Sequence, residues 1–166
     1  MEEFFDVVDD NNRVIGRAAR SECHGNPNLA HRVVHVLVFN SAGQLYLQKR
    51  SMTKDIQPGV WDTSVGGHLM EGESYFDAAI REMKEELAIE NVDLEELYGY
   101  VLRNSIETEF VTTYKTVYDG EINPDPVEIT EGRFFDLKEI ESLMGKGYFS
   151  SNFEDEFNLY TEKYLK

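Results

Sequence analysis

The stretch from Gly67 to Ile89, GHLMEGESYFDAAIREMKEELAI, constrains this chain more than any other. Around it the apolar residues come in short runs of strand length. From Ser74 to Leu87 the period changes, and Phe76, Ala79, Ile80, Met83 and Leu87 recur at helical spacing. Ser74-x-x-Asp77 reads as a capping-box-like start. A helix advancing about 100° per residue gathers Glu82, Glu85 and Glu86 into an arc of about 100° beside the apolar stripe. Glu82 and Glu86 form an i,i+4 pair of like charge, which is mildly unfavourable in an isolated helix. Arg81 stands four residues from Glu85, in the poorer orientation for an ion pair.

The rest of the chain reads as strands and turns around that helix. Phe4–Val8 and Val14–Ala18 flank Asp9-Asp10-Asn11-Asn12, the pattern of a hairpin with a polar turn. A loop, SECHGNPNLAH, follows, with Gly25 and Pro27 as breakers. Strands are expected over Val33–Phe39, Leu45–Lys49 and Val60–Val65, the last ended by Gly66-Gly67. Leu97–Arg103, Phe110–Tyr118 and Arg133–Phe135 are further strands, and the acidic, proline-containing Asp119–Pro126 is a loop. Leu137–Met144 is a short helix. Phe153, Phe157, Tyr160 and Tyr164 stripe a final amphipathic helix. Strands with interspersed helices indicate an α/β or α+β sandwich, and 166 residues suit one domain spanning 1–166.

Charge narrows the function classes. Lys and Arg number 16 against 32 Asp and Glu, a net charge of −16. A field of that sign opposes nucleic acid and anionic membrane surfaces as partners. A phosphate-bearing ligand would need cations supplied locally, by a few basic side chains or by a metal. The glutamate cluster offers the second route, because a hard divalent cation such as Mg²⁺ takes oxygen ligands and bridges substrate phosphates. Cys23 is the only cysteine, so no internal disulfide can form and a reducing compartment is expected. With no basic, apolar leader at the start and no run of about 20 apolar residues, the expectation is a cytoplasmic protein.

Gly67, Glu73, Arg81, Glu82, Met83, Glu85, Glu86 and Ile89 meet the pattern G-x5-E-x7-R-E-U-x-E-E-x-G-U, with U a bulky apolar residue. That pattern resembles the box of the Nudix hydrolases. One position departs: the final glycine is Ala88, which touches the helix end and the turn after it rather than the chemistry. The resemblance implies a Nudix α/β/α sandwich with a mixed β-sheet, with the box as a loop–helix–loop over 67–89. It also implies cleavage of a diphosphate linkage, in a nucleoside diphosphate derivative or a related small organic diphosphate, with Mg²⁺ or Mn²⁺ held by Glu82, Glu85 and Glu86. Arg81 inherits the orienting of a glutamate through an ion pair, and Glu73 a structural or outer-shell place. The general base varies among Nudix branches; Glu128, Glu131 or a box glutamate can serve.

A second resemblance spans nearly the whole chain. VVDDNNRVIGRAARSECH, LAHRVVHVLVFNSAGQLYLQKR and IQPGVWDTSVGGH are similar to type I isopentenyl-diphosphate isomerases and their hydrolase relatives. The resemblance implies an added N-terminal β-hairpin and loop over 1–30. It also implies a second metal, Mn²⁺ or Zn²⁺, on His24, His31, His68, Glu107 and Glu109. Arg20, Arg50 and Lys54 correspond to basic positions that hold the diphosphate. The isomerases carry a catalytic cysteine where this chain has Gly66, and a glycine cannot move a proton to or from carbon. The hydrolase reading therefore leads, with an isomerase-like enzyme and a non-catalytic diphosphate sensor as alternatives. Trp61, Tyr100, Tyr114, Tyr118 and Phe134 are available to stack a base, although aromatics at strand spacing more often fill a core. The oligomeric state stays open, with a β edge or the hairpin as surfaces for a homodimer.

Overall fold

The N-terminal hairpin forms where the polar turn demands it. In the computed structural model, which describes residues 2–52, 58–127 and 129–166, strand β1 (Phe4–Val8) pairs antiparallel with β2 (Val14–Ala19). Asp9 Oδ1 accepts from the backbone N–H groups of Asn11 and Arg13, at 2.9 and 3.0 Å. That side-chain bond closes the turn in the usual way for aspartate. Arg20–Cys23 then forms a single helical turn, α1, where the sequence suggests loop. Glu2 Oε1 accepts from the Ser21 N–H there, and Cys23 drops into a small core with Phe5, Val7 and Ala18.

A mixed sheet carries the rest. Its strands are β3 (His31–Phe39), β4 (Leu45–Arg50), β5 (Trp61–Asp62), β6 (Val65–His68), β7 (Glu95–Arg103), β8 (Thr108–Val117) and β9 (Ile129–Phe135). Strand β3 is central, parallel to β8 along its whole length and antiparallel to β6. It meets β4 only at Phe39 and Leu45, after which β4 pairs with β5 and β9. The two groups of strands therefore part, and the cleft described below lies where they do.

The helices cover the two faces. Helix α2 (Tyr75–Leu87) packs against Val34, Val36 and Val38 of β3. Helices α3 (Leu137–Leu143) and α4 (Ser151–Tyr164) pack on the other face, where Leu37 and Phe39 point. The two-residue period of β3 thus feeds both cores, giving the α/β/α sandwich. No helix among the described residues is long and apolar enough to cross a membrane.

Three local expectations change, and one departure leaves its turn intact. The strand expected over Val60–Val65 breaks at Thr63 and Ser64 and resumes through Gly66 and Gly67, which pair with His35 and Val34. Ser64 explains the break. Its hydroxyl donates to the Tyr46 carbonyl and accepts from the Val38 N–H, so it joins the two parting groups of strands. On α2 the buried face is Ala78, Ala79, Met83 and Leu87, while Phe76 and Ile80 are 50% and 38% exposed. The adjacent alanines let the helix approach the sheet closely and turn the larger residues outward. Ala88 keeps the left-handed cap that glycine usually supplies, with φ 57°, and its N–H reaches the Lys84 carbonyl at 3.1 Å. On α4, Phe153, Phe157 and Tyr160 are buried as the stripe suggests, whereas Tyr164 is 46% exposed.

Candidate functional site

The acidic face of α2 is organised by one arginine. Arg81 meets Glu73 with both arms of its fork, at 2.8 and 2.9 Å, a bidentate geometry that fixes the guanidinium plane. Its remaining nitrogen donates to Glu82 at 2.8 Å and Glu85 at 3.2 Å, and a further bond reaches the His68 carbonyl at 3.0 Å. The hydrogen bonds from Arg81 hold the Glu73 carboxyl below its usual range. Arg81 itself is pushed further up, chiefly by Glu73.

Glu82 and Glu86 lie deeper, and the energetics reverse. Burial raises both carboxyls, and burial together with the Glu82 charge pushes Glu86 well above the ordinary value. Glu86 Oε1 is 3.4 Å from Gln48 Nε2, and Glu86 Oε2 is shielded from solvent with no hydrogen-bond partner among the described residues. Glu85 is more open, its side chain 59% exposed. Gly67 permits the arrangement, because a Cβ there would collide with the Glu82 carboxyl. An orphaned buried oxygen beside a second carboxylate is a donor set that suits a hard divalent cation.

A second cluster sits on the neighbouring strands. The register opposes His31 to Glu109 and Val33 to His68, which draws the ends of β3, β6 and β8 together. His31, His68, Glu107 and Glu109 each offer a donor atom, all within 4.8 Å of one another. His31 Nδ1 donates to the Leu29 carbonyl at 3.3 Å, which leaves Nε2 to face Glu109 at 3.4 Å and Glu107 at 4.0 Å. A carbonyl partner of this kind selects the imidazole tautomer that a metal needs. His31 Nε2, His68 Nε2 and Glu107 Oε2 are buried without a hydrogen-bond partner among the described residues. Phe5 of the hairpin roofs the pair of rings, its centroid 5.4 Å from His31 and 4.8 Å from His68.

The charges in this cluster pull against one another. Burial opposes ionisation of Glu109, yet His31 and His68 outweigh it and hold the carboxyl down to about 2. Burial likewise opposes charge on His31, and Glu109 outweighs it, so the imidazole is raised. Glu107 is pushed up by burial and then by Glu109. His24 stands at the margin: its Nδ1 is 3.7 Å from Glu107, but its side chain is 44% exposed and it is outside the compact group of four.

Both clusters open into one cleft of 770 Å³. Arg20 and Arg50 line it, each with a carboxylate partner, Glu3 at 3.2 Å and Asp62 at 3.3 Å. Lys54 and Glu128 fall outside the described residues. Glu131 is exposed on β9 and lines no part of the cleft. Trp61 and Phe134 pack on Phe135 and Tyr46, and Tyr114 is 6% exposed, so these rings serve the core.

Sequence reasoning passed over several cleft residues. The acidic loop 119–126 hooks onto the end of α2, with Asn123 and Asp125 N–H groups donating to the Leu87 and Glu86 carbonyls, and so carries Asp125 to the cleft. Gln48, His35 and Glu156 are there too. His35 had a visible signal, a histidine inside the apolar run VVHVLVF. Glu156 had none, since it sits on the apolar face of α4.

Matches to known proteins agree with this geometry. The NUDIX domain family profile matches residues 29–153. An uncharacterised Nudix hydrolase of Pseudomonas aeruginosa is 35% identical over 127 residues, 76% of this chain and 75% of its own. A Streptomyces griseus isopentenyl-diphosphate Delta-isomerase is 34% identical over 155 residues, 89% of this chain and 78% of its own. A Deinococcus radiodurans crystal structure superposes with TM-score 0.81 at 27% identity, covering 98% of this chain and 99% of that one. The chain belongs to the Nudix hydrolase family, whose members act on acid anhydrides.

Proposed function

We propose that this chain is a Mg²⁺-dependent diphosphohydrolase that cleaves a diphosphate linkage in a nucleoside diphosphate derivative or a related small organic diphosphate. The observation that carries the reading is the buried Glu82–Glu86 pair, with a shielded Glu86 oxygen that has no hydrogen-bond partner among the described residues. Glu82, Glu85 and Glu86 would hold the cation, with Mn²⁺ as a substitute. A cation bound there supplies charge neutralisation of the diphosphate and a lowered pKa for an attacking water.

The chain's own residues supply the rest. Arg81 fixes Glu82 and Glu85 through the plane that Glu73 locks. Arg20, Arg50 and Lys54 would seat the phosphates. Of the general bases weighed, Glu131 is exposed and not among the residues lining the cleft, which favours Glu128 or a box glutamate.

The isomerase alternative draws on the kinship with the Streptomyces griseus enzyme. Against it, Gly66 offers no side chain at the position where those enzymes carry their cysteine. Cys23 is no substitute, being fully buried under the hairpin. The His31, His68, Glu107 and Glu109 cluster supports a second cation, Mn²⁺ or Zn²⁺, with His24 closing the set at its margin.

The test is a panel of nucleoside diphosphate derivatives and small organic diphosphates, isopentenyl diphosphate included, incubated with Mg²⁺ and read by mass spectrometry. Cleavage of one member supports the reading. An isomerised product, or tight binding without turnover, overturns it in favour of the isomerase or the sensor. Elemental analysis of the native protein checks the second cation. Mn or Zn approaching one per chain is expected, and none after soaking leaves these histidines structural.

A further inference from the structure

Glu156 is the least expected charge in the molecule, 2% exposed and inside the core between the sheet and α4. Its oxygens collect donors from three strands: Thr113 at 2.8 Å, Tyr98 at 2.9 Å, Tyr100 at 3.3 Å and His35 Nδ1 at 2.6 Å. A carboxylate this buried is costly unless a cation faces it, and His35 is the cation within reach. Because a carboxylate only accepts, the proton on Nδ1 is fixed, and Nε2 is the atom left to act.

Nε2 lies on the side of the ring away from Glu156, next to Gly66. His35 lines the cleft, with a side chain 15% exposed, and no hydrogen bond among the described residues uses Nε2. The reason the atom is reachable lies on the opposing strand. Gly66 pairs with His35, and a Cβ there would come within 3.2 Å of the ring's Cδ2 and 3.5 Å of Nε2. Thr63 adjoins the same spot, and its buried Oγ1 also lacks a partner. Successive residues of β6 face opposite sides, so Gly67 clears the α2 side for Glu82 while Gly66 clears the α4 side for His35. A ligand lying across the bare stretch of β6 touches the box glutamates on one side and His35 on the other.

We infer that His35, buttressed by Glu156, contacts the substrate, donating from Nε2 to a phosphoryl oxygen beyond those held at the box glutamates. This rests on the diphosphate reading above. Burial opposes charge on the ring, and Glu156 outweighs it with help from Glu109 on β8 and Asp62 on β5, so the imidazolium is favoured. The Tyr100 hydroxyl lies 3.4 Å from Nδ1, on the Glu156 side, and leaves Nε2 clear.

The experiment uses methylenediphosphonate, which cannot be cleaved at its bridge, so binding is read apart from turnover. Full-length protein with ¹⁵N-labelled histidine and saturating Mg²⁺ is titrated with the probe, and the Nε2 resonance of His35 is followed. A saturable shift of that resonance is expected. His35→Asn keeps a donor toward Glu156 and loses Nε2, and its Kd for the probe should rise about tenfold, the scale of one lost hydrogen bond to a charged group. His35→Gln places an amide near the Nε2 position and should recover part of that loss, which a purely structural histidine would not show. An unmoved Nε2, or no saturable binding at millimolar probe, overturns the inference; if His35→Asn does not fold, the wild-type resonance still decides. A protein that cleaves nothing yet shows the shift loses the hydrolase reading and keeps the contact. One that cleaves with Nε2 unmoved does the reverse.

Discussion

Replacing Glu86 by glutamine separates the cost of the carboxylate pair from its use. Without a cation, the Glu86 carboxyl is raised by burial and by Glu82, and Oε2 has no partner among the described residues. Glutamine keeps a polar end there, so what is relieved is the burial of a charge beside Glu82, and each pKa unit by which Glu86 is raised is about 1.4 kcal/mol. Glu86→Gln removes the charge and keeps the shape, so the metal-free variant should be more stable than wild type by about 1–2 kcal/mol, a melting-temperature gain of about 2–8 °C for a chain of this size. The pH dependence has a definite sign. A carboxyl raised on folding contributes its stability below its unfolded value, about 4.3 for glutamate, and loses it as pH rises through the folded value. The gain from Glu86→Gln should therefore be present at pH 7–8 and vanish as the pH falls toward 4.

Mg²⁺ should reverse the order. At a concentration 100 times Kd, a ligand bound only by the folded state adds about 2.7 kcal/mol, about 5–11 °C here. Wild type should gain that amount and the glutamine variant little, while turnover drops by about 10²-fold or more. Thermal unfolding with EDTA and with a Mg²⁺ series measures both arms, beside an activity assay on the substrate identified. Equal Mg²⁺ shifts in the two proteins, or unchanged turnover in the variant, would refute the reasoning.

Other outcomes follow from single contacts. Ala88 holds φ 57°, and a left-handed conformation costs a non-glycine residue about 1–2 kcal/mol. Offset by the greater freedom of glycine in the unfolded chain, about 0.4–1 kcal/mol, Ala88→Gly should raise stability by about 0.5–1 kcal/mol in denaturant titration without altering turnover. A loss of stability would show that the turn is relaxed around alanine. Gly67→Ala drives a methyl into the Glu82 carboxyl, so Mg²⁺ affinity measured by calorimetry should fall at least tenfold in a protein with unchanged circular dichroism. The His35–Glu156 pair contributes stability between two limits, since Glu156 is lowered and His35 raised. That contribution is lost in acid as Glu156 protonates and in alkali as pH passes the raised His35 value. His35→Asn should flatten the alkaline limb of a melting-temperature profile, and an unchanged limb would place the titration elsewhere.

What could be read in the sequence was local. Helix α2 announces itself by period and by Ser74, whose hydroxyl accepts from the Asp77 N–H at 3.1 Å. The carboxylates on its polar side, and the arginine among them, follow from that period alone. The hairpin is equally legible, because Asp9 makes its turn bonds within four residues. What escaped was set by distant partners. Gly66 and Gly67 look like a strand terminator until β3 is known to need a neighbour there. The turning of Phe76 and Ile80 outward depends on the sheet that α2 meets, not on its own pattern. His35 and Glu156 are 121 residues apart, and no periodicity links them. Even Asp125 reaches the cleft only because its loop completes the last carbonyls of α2.

The acidic composition and the diphosphate site are reconciled within the cleft. Its arginines are already engaged: Arg81 by Glu73, Glu82 and Glu85, Arg20 by Glu3 and Arg50 by Asp62. Paired this way, Arg20 and Arg50 bring less net positive charge to a phosphate than free arginines would. Positive charge for the substrate would then come in large part with the cations that the two carboxylate clusters could hold, beside Lys49 at the cleft and His35, whose own charge Glu156 sustains. A free diphosphate approaching a chain of net charge −16 is repelled, whereas its Mg²⁺ complex carries less charge and brings part of what the glutamates lack. On this argument binding should follow the concentration of the Mg²⁺–diphosphate complex rather than of free diphosphate, and raised ionic strength should speed association, the opposite of a site built from free arginines.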